Sequence, residues 1–282
     1  MIDVALVRCQ ELPEPDSDMD LLQESLGARG LSVAWRSWDG VGEHGRFDDA
    51  RIAVVRAAWN YFLDYAAFRA WIDRTARVTR LYNEPRVLAW NSDKSYLGEL
   101  VEKGVAVVPT VYVARGEAPD LAGTMRARGW SRVVVKPRVS AGSFETYQYA
   151  LADVDASTMQ KHTLARDMMV QPFVASVDDY GERALVFIDG ELTHAVRKMP
   201  RFANGVERTD LVPVADDEAA FAKAVLSCVP EKLLYARVDL ARDERGAPML
   251  MELEACEPSL HLWRNETALA RFCDAIAREV RA

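Results

Sequence analysis

The 282-residue sequence predicts a mixed α/β fold, a parallel α/β unit followed by hairpin-rich α+β parts. Three observations carry that prediction. Within residues 1–90, short apolar runs alternate with segments of helical spacing, the pattern of a small parallel sheet. Asp189-Gly190 sits between two alternating runs, a strong hairpin signal. A turn-rich segment between Tyr235–Leu240 and Met249–Glu254 predicts a second antiparallel hairpin.

The elements follow in order. Val4–Val7 reads as a buried strand, and Met19–Leu26 as a helix ending at Gly27 and Gly30. Strands at Leu31–Trp38 and Arg51–Arg56 flank a polar, Gly-rich loop, and Tyr65–Ala76 repeats apolar residues at helical spacing. From Asn91 the character changes. Lys94–Lys103 reads as a helix ending at Gly104, with Asn91, Ser92 or Asp93 as its N-cap. Val105–Val113 reads as a strand interrupted by Pro109, and Arg132–Pro137 as a short buried strand. A small-residue loop, Arg138–Ser143, leads to a strand at Phe144–Leu151 and a polar helix around Ala156–Arg166. Met168–Val174 opens the third part. A turn centred on Asp189-Gly190 makes Glu182 face Arg197 and Arg183 face Val196. Helices at about Asp217–Val229 and Glu266–Val280 flank the last hairpin.

Composition excludes several function classes. Half of the residues are hydrophobic and 28% are charged, which is ordinary for a soluble globular protein. A net charge of −8 argues against broad nucleic-acid affinity, which needs a basic footprint. Cys9, Cys228, Cys256 and Cys273 show no metal-ligand spacing and no disulfide framework. The N-terminus does not read as a signal peptide, and no apolar run reaches the ~18–20 residues of a membrane helix. A cytoplasmic protein with no membrane partner is the expectation.

The last hairpin carries the most chemistry. Tyr235, Arg237 and Asp239 share one face of its first strand, and Glu252 and Glu254 share a face of the second. A turn centred between Arg245 and Gly246 sets Asp239 opposite Glu252 and Arg237 opposite Glu254. Three carboxylates at that proximity repel unless a cation sits among them, and magnesium suits such oxygen donors. Upstream, Lys136 ends a buried strand beside the flexible loop Ser140–Ser143, a placement suited to phosphate oxygens. Lys94 opens a helix, and Arg183, Arg197 and Lys198 add positive charge on the Asp-Gly hairpin. The four histidines, His44, His162, His194 and His261, have no triad spacing, and only His261 lies near the acidic hairpin.

This ordered set, from Lys94 through Lys136, the small-residue loop, Gln-Pro-Phe-Val and Asp…Glu-x-Glu, resembles the ATP-grasp superfamily over about Asn91 to Leu260. The resemblance implies an N-terminal parallel α/β domain (residues 1–90) followed by two ATP-grasp subdomains (91–170 and 171–282) clasping the nucleotide. It implies ATP and Mg2+ as cofactors. Lys94 and Lys136 correspond to the phosphate lysines, and Ser140, Gly142 and Ser143 to the phosphate loop. Gln171, Phe173 and Val174 correspond to the adenine hinge, and Asp179 or Glu182 to the ribose ligand. Asp239, Glu252 and Glu254 correspond to the metal ligands, and Arg183, Arg197 and Arg237 to the cations that stabilise the transferring phosphate. Many ATP-grasp enzymes carry Asn where Glu254 stands, so this chain has an extra carboxylate there.

Val54-Val-Arg-Ala-Ala-Trp-Asn-Tyr61 and Asn83-Glu-Pro-Arg-Val-Leu-Ala-Trp-Asn-Ser-Asp-Lys94 narrow the resemblance. They are similar to a bacterial subfamily that includes the O-ureido-serine cyclo-ligase of cycloserine biosynthesis. Arg56, Trp59, Asn60 and Tyr61 lie just after a parallel strand, where open sheets present ligand-contacting loops. Arg56 is thus a candidate for a substrate carboxylate, and the aromatics for its pocket walls or for domain anchoring. The expectation is an ATP-dependent carboxylate–amine ligase that uses an acyl phosphate and takes a small, amino-acid-like carboxylate, with its nucleophile on a second molecule or the same one. A homodimer is common in related enzymes. The competing readings are a non-catalytic, regulatory ATP-binding module and a carboxylate-metal hydrolase.

Overall fold

A computed structural model of the chain describes residues 1–199 and 208–282 and contains three sheets. The first is parallel. It orders β1 (Ile2–Arg8), β2 (Val33–Ser37), β3 (Ala50–Ala57) and β4 (Arg80–Tyr82) as β2-β1-β3-β4. β1 and β3 are nearly continuous apolar runs because helices cover both of their faces. On one face Leu22 and Leu26 of α1 (Met19–Gly27) pack on Val4, Leu6, Ile52 and Val54. On the other, Phe68, Trp71 and Ile72 of α2 (Tyr65–Thr75) pack on Ala53 and Val55.

Two short helices follow, α3 (Pro85–Asn91) and α4 (Tyr96–Glu102). The sequence suggests only the second, and starts it two residues early. Pro85 opens α3, where a missing N–H costs nothing. Asn91 therefore ends a helix and caps none. Lys94 occupies the turn between the two helices, its N–H donating to Arg138 O (3.0 Å).

The second sheet is small and antiparallel. β5 (Val111–Val113), β6 (Arg132–Pro137), β7 (Tyr147–Ala150) and β8 (Met168–Pro172) run in the order β5-β8-β6-β7. α5 (Leu121–Arg128) and α6 (Thr158–Thr163) cover it through Leu121, Met125 and Met159. The strand expected over Val105–Val113 is split. Residues 106–108 bond instead to Leu250 of the third sheet, and only Val111–Val113 joins the second, with Pro109 at the break.

After α7 (Ser176–Asp179) comes the third sheet, antiparallel and ordered β11-β10-β9-β12-β13. Its strands are β9 (Glu182–Ile188), β10 (Glu191–Met199), β11 (Arg208–Val212), β12 (Tyr235–Arg242) and β13 (Pro248–Glu254). Asp189 and Gly190 both take positive φ (51° and 79°), as the tight hairpin turn demands. One face of this sheet is covered by α8 (Asp216–Ser227), through Ala222 and Val225. α9 (Glu266–Arg281) closes the chain in a core shared with the first sheet, where Phe272 and Ile276 meet Val4, Ile52, Val186 and Tyr235. The N- and C-terminal parts are thereby welded together. Among the described residues no helix is long and apolar enough to cross a membrane.

Candidate active site

The β12–β13 register places Arg237 opposite Glu254 and Asp239 opposite Glu252, as the sequence predicts. The route to it differs. Near the turn Arg242 pairs with Pro248 and Leu240 with Leu250, and a bulge between Asp239 and Leu240 restores the predicted pairing. Each carboxylate of the patch meets a cation. Arg237 Nε and Nη2 donate to Asp239 Oδ1 and Oδ2 (both 2.8 Å), and Nη2 also reaches Glu254 Oε1 (2.5 Å). Lys198 Nζ lies 2.6 Å from Asp239 Oδ2 and also pairs with Glu182. Lys94 Nζ lies 3.1 Å from Glu252 Oε1. Among the described residues no three His, Cys, Asp or Glu side chains form a metal-holding group, and each acid here is turned to a Lys or Arg.

The electrostatics follow from that arrangement. Burial pushes the Asp239 carboxyl up, but Arg237 and Lys198 outweigh it and hold Asp239 below the usual carboxylate range. For Glu252, Lys94 and Lys136 likewise overcome burial. Burial prevails at Glu254, pushed up to about 8, and at Glu182, pushed up to about 7. A patch of three acids and three close cations can exchange its internal partners for a divalent cation and phosphate oxygens.

The two lysines expected from the sequence both face this patch. Lys94 is buried, and its Nζ also donates to Ser140 O (2.6 Å). The side chain of Lys136, at the end of β6, has no hydrogen bond or ion pair among the described residues. Burial pushes its ammonium down, while Glu252 and Glu182 pull it back up. The loop that follows is fixed at Ser140, whose carbonyl also accepts from Tyr61 Oη (3.2 Å). Gly142 and Ser143 are exposed, both at positive φ (59° and 61°). Gln171 is buried, its Nε2 donating to Thr110 Oγ1 (3.0 Å). The Phe173 ring lies under Arg132, 3.3 Å from Cζ, and its N–H donates to Arg132 O (2.9 Å). No backbone hydrogen bond takes the N–H of Val174 among the described residues. Asp179 is exposed at the end of α7, whereas Glu182 lies on the sheet face that carries Asp239.

Several expected residues stand elsewhere. A bulge between Leu192 and His194 shifts the β9–β10 register, so Glu182 faces Lys198 and Arg183 faces Arg197. A one-residue slip exchanges the faces of every later side chain. Lys198 therefore takes the place expected of Arg197, whose Nε and Nη2 lie 3.2 and 3.0 Å from Met199 Sδ. Arg183 is likewise on the α8 side of the sheet. Its Nη2 donates to Pro213 O (2.5 Å), lies 3.5 Å from Glu218, and its guanidinium stacks on Tyr180. Neither arginine reaches the carboxylate patch.

The Arg56–Tyr61 motif is divided as well. Trp59 and Tyr61 reach the site's edge, through Trp59 Nε1–H to Glu257 O (3.0 Å) and Tyr61 to Ser140. Asn60 turns away, bonded to Trp38 Nε1 and Asp39 Oδ2 (2.7 Å each) beside an open cavity of about 440 Å3. Arg56 is fully enclosed. Its guanidinium lies over Tyr235 and Phe272, and Nη2 donates to Pro258 O (3.2 Å). The expectation that it meets a substrate carboxylate directly is corrected, because α9 packs over it.

Asn83 and Asn91 had no sequence signal for their roles. They are buried and pin both strands of the acidic hairpin. Asn83 Nδ2 donates to Tyr235 O and Ala255 O, and Asn91 Oδ1 accepts from Ala255 N and Cys256 N. Glu257 lies just beyond the Glu-x-Glu pair. Burial pushes its carboxyl up to about 7, opposed by Lys94 and Arg237. An acidic residue continuing the Glu-x-Glu run was the available clue.

Comparison with known proteins accords with this geometry. The chain is 35% identical to the cycloserine biosynthesis protein DcsG of Streptomyces lavendulae over 289 residues, covering 94% of this chain and 95% of that one. Residues 4–83 match the family model described as the D-cycloserine synthetase DcsG N-terminal domain. The crystal structure of D-cycloserine synthetase DcsG superposes with a TM-score of 0.89 at 30% identity, covering 98% of this chain and 99% of that one. D-alanine–D-alanine ligase from Bacillus anthracis complexed with ATP shares the fold, with a TM-score of 0.72 at 12% identity, covering 100% and 98%. The chain therefore belongs to the DcsG family of ATP-grasp enzymes and is an ATP-dependent ligase.

Proposed function

We propose that this ligase activates a small, amino-acid-like carboxylate as an acyl phosphate and then joins it to a nitrogen nucleophile. The observation that carries the reading is the single sheet face on which Asp239, Glu252 and Glu254 meet Lys94, Lys198 and Arg237. In the first step a carboxylate oxygen attacks the γ-phosphorus, and the bond from phosphorus to the ADP oxygen breaks. In the second the nitrogen attacks the acyl carbon, inorganic phosphate leaves with the electron pair, and the nitrogen sheds a proton. A carboxylate needs this activation because it is a poor electrophile, and the protein's share is positioning and charge neutralisation.

Lys94, Lys136 and Lys198 would hold phosphate oxygens, and Arg237 would meet the acyl phosphate. Asp239 and Glu252, with Glu254 beside them, fit a hard divalent cation by their oxygen donors. Mg2+ bound there supplies charge neutralisation at the phosphates. Val174 N–H and the Phe173 ring suit an adenine, and Glu182 suits ribose hydroxyls better than the outlying Asp179. Likeness to DcsG along nearly the whole chain favours a nucleophile on the same molecule, hence ring closure of the cycloserine type. With O-ureido-serine labelled by 18O in its carboxylate, label should appear in the released phosphate. Unlabelled phosphate would reject the acyl phosphate.

A further inference from the structure

Four consecutive backbone carbonyls beyond β13 each accept a hydrogen bond from a different side chain. Trp59 Nε1 donates to Glu257 O (3.0 Å), and Arg56 Nη2 to Pro258 O (3.2 Å). Arg237 Nη1 donates to Ser259 O (3.1 Å), and His194 Nε2 to Leu260 O (3.0 Å). A carbonyl only accepts, so His194 must carry its proton on Nε2. The donors come from the end of β3 and the loop after it, from β12 and from β10. One end of the segment is tied by Asn91 to Cys256 N, the other by Asp18 Oδ1, which accepts from Trp263 N (2.9 Å). Connecting segments ordinarily satisfy their carbonyls with water. This one is held rigid by two sheets.

Arg56 is costly for an ordinary packing residue. It has no solvent exposure, one hydrogen bond, and no partner for Nε or Nη1 among the described residues. A buried guanidinium so thinly satisfied is a net burden to the fold, where an apolar side chain of similar size would serve as well. What an apolar replacement could not do is hold Pro258 O. Trp59 repeats the device one residue earlier. The segment they grip contains Glu257, whose carboxyl faces the charges of Lys94, Glu252 and Arg237. It also grips Arg237, whose other nitrogens hold Asp239 and Glu254.

We propose that Arg56 and Trp59 are positioning residues, which act through the backbone of residues 257–260 to shape the substrate side of the site. This rests on the ligase reading above for the identity of that side. Nucleotide binding, built from the second and third sheets, does not depend on them.

Trp59→Phe removes the indole N–H and keeps a ring, Arg56→Met removes the guanidinium, and Arg56→Lys keeps the charge. Titration calorimetry with Mg-ADP, then with D-cycloserine added to that complex, reads the two sides separately. Hydrogen exchange by mass spectrometry reads the segment itself. Trp59→Phe and Arg56→Met should weaken D-cycloserine at least tenfold and leave Mg-ADP within twofold. Exchange should quicken across residues 257–264 alone, and Arg56→Lys should recover part of both effects. Wild-type affinity with wild-type exchange would overturn the proposal, as would an equal loss of Mg-ADP. If the wild-type protein binds no D-cycloserine, the substrate reading fails, and the exchange result alone supports or overturns the positioning role. Should Arg56→Met not fold, Trp59→Phe decides.

Discussion

Lys198 on β10 and Asp239 on β12 meet across the intervening strand β9, with Nζ 2.6 Å from Oδ2. Asp239 is almost wholly buried and is shared with Arg237, so two cations already stand where the proposed function would put a metal and phosphates. Removing the acid leaves both cations under-compensated, and losing one member of a buried pair costs about 3–5 kcal/mol. Asp239→Asn should therefore lower stability by about 3 kcal/mol in urea unfolding and abolish ADP release. A variant of wild-type stability and full turnover would contradict the role of the pair.

Lys136 stands apart because, among the described residues, no acid pairs with it directly, which suits its ammonium to the phosphate role proposed above. A hydrogen bond to a charged group is worth about 1.5–3 kcal/mol. Lys136→Ala should therefore weaken ATP by about ten- to a hundredfold in titration calorimetry. Unchanged affinity would remove it from the nucleotide site.

Asn91 satisfies three backbone groups at the end of β13, through Leu253 O, Ala255 N and Cys256 N. Leaving buried groups unsatisfied costs about 1–3 kcal/mol each. Asn91→Ala should destabilise the protein by at least ~2 kcal/mol and Asn91→Asp by less, as read from thermal and urea unfolding. A neutral Asn91→Ala would show that water replaces the amide.

Glu257 gives a pH dependence with a defined sign. Its carboxyl is pushed up from an ordinary 4.5 to about 7, chiefly by burial. The folded chain thus keeps a proton that the unfolded chain has lost, so this group's stability is complete below 4.5 and disappears as the pH rises through 7. Glu257→Gln should flatten the fall in unfolding midpoint over that window. A profile parallel to the wild type would place the titration elsewhere.

The sequence was most legible where alternation and charge coincide. The Arg237–Glu254 and Asp239–Glu252 pairs followed from period two and a turn centred between Arg245 and Gly246, although a bulge the sequence does not advertise corrects the register on the way. The same device defeated the reading one hairpin earlier. The bulge at Thr193, whose Oγ1 donates to Val186 O (3.1 Å), sends Lys198 to the site face and Arg197 away from it. Arg56 misled for another reason. An arginine at a strand end looks like a ligand, and only the docking of Phe272, far along the chain, shows that it is enclosed. Asn91 reads as a helix cap locally, whereas its partners, like those of Asn83, lie in the last hairpin.

The central claim is that the carboxylate patch and its lysines perform ATP-driven activation of a substrate carboxylate. Its most direct test is ADP release from Mg-ATP, with and without O-ureido-serine and related amino acids, by the wild-type protein and by Asp239→Asn and Glu252→Gln. The account predicts carboxylate-dependent ADP release that both substitutions abolish while the fold is kept. ADP release that needs no carboxylate, or that survives both substitutions, would contradict it.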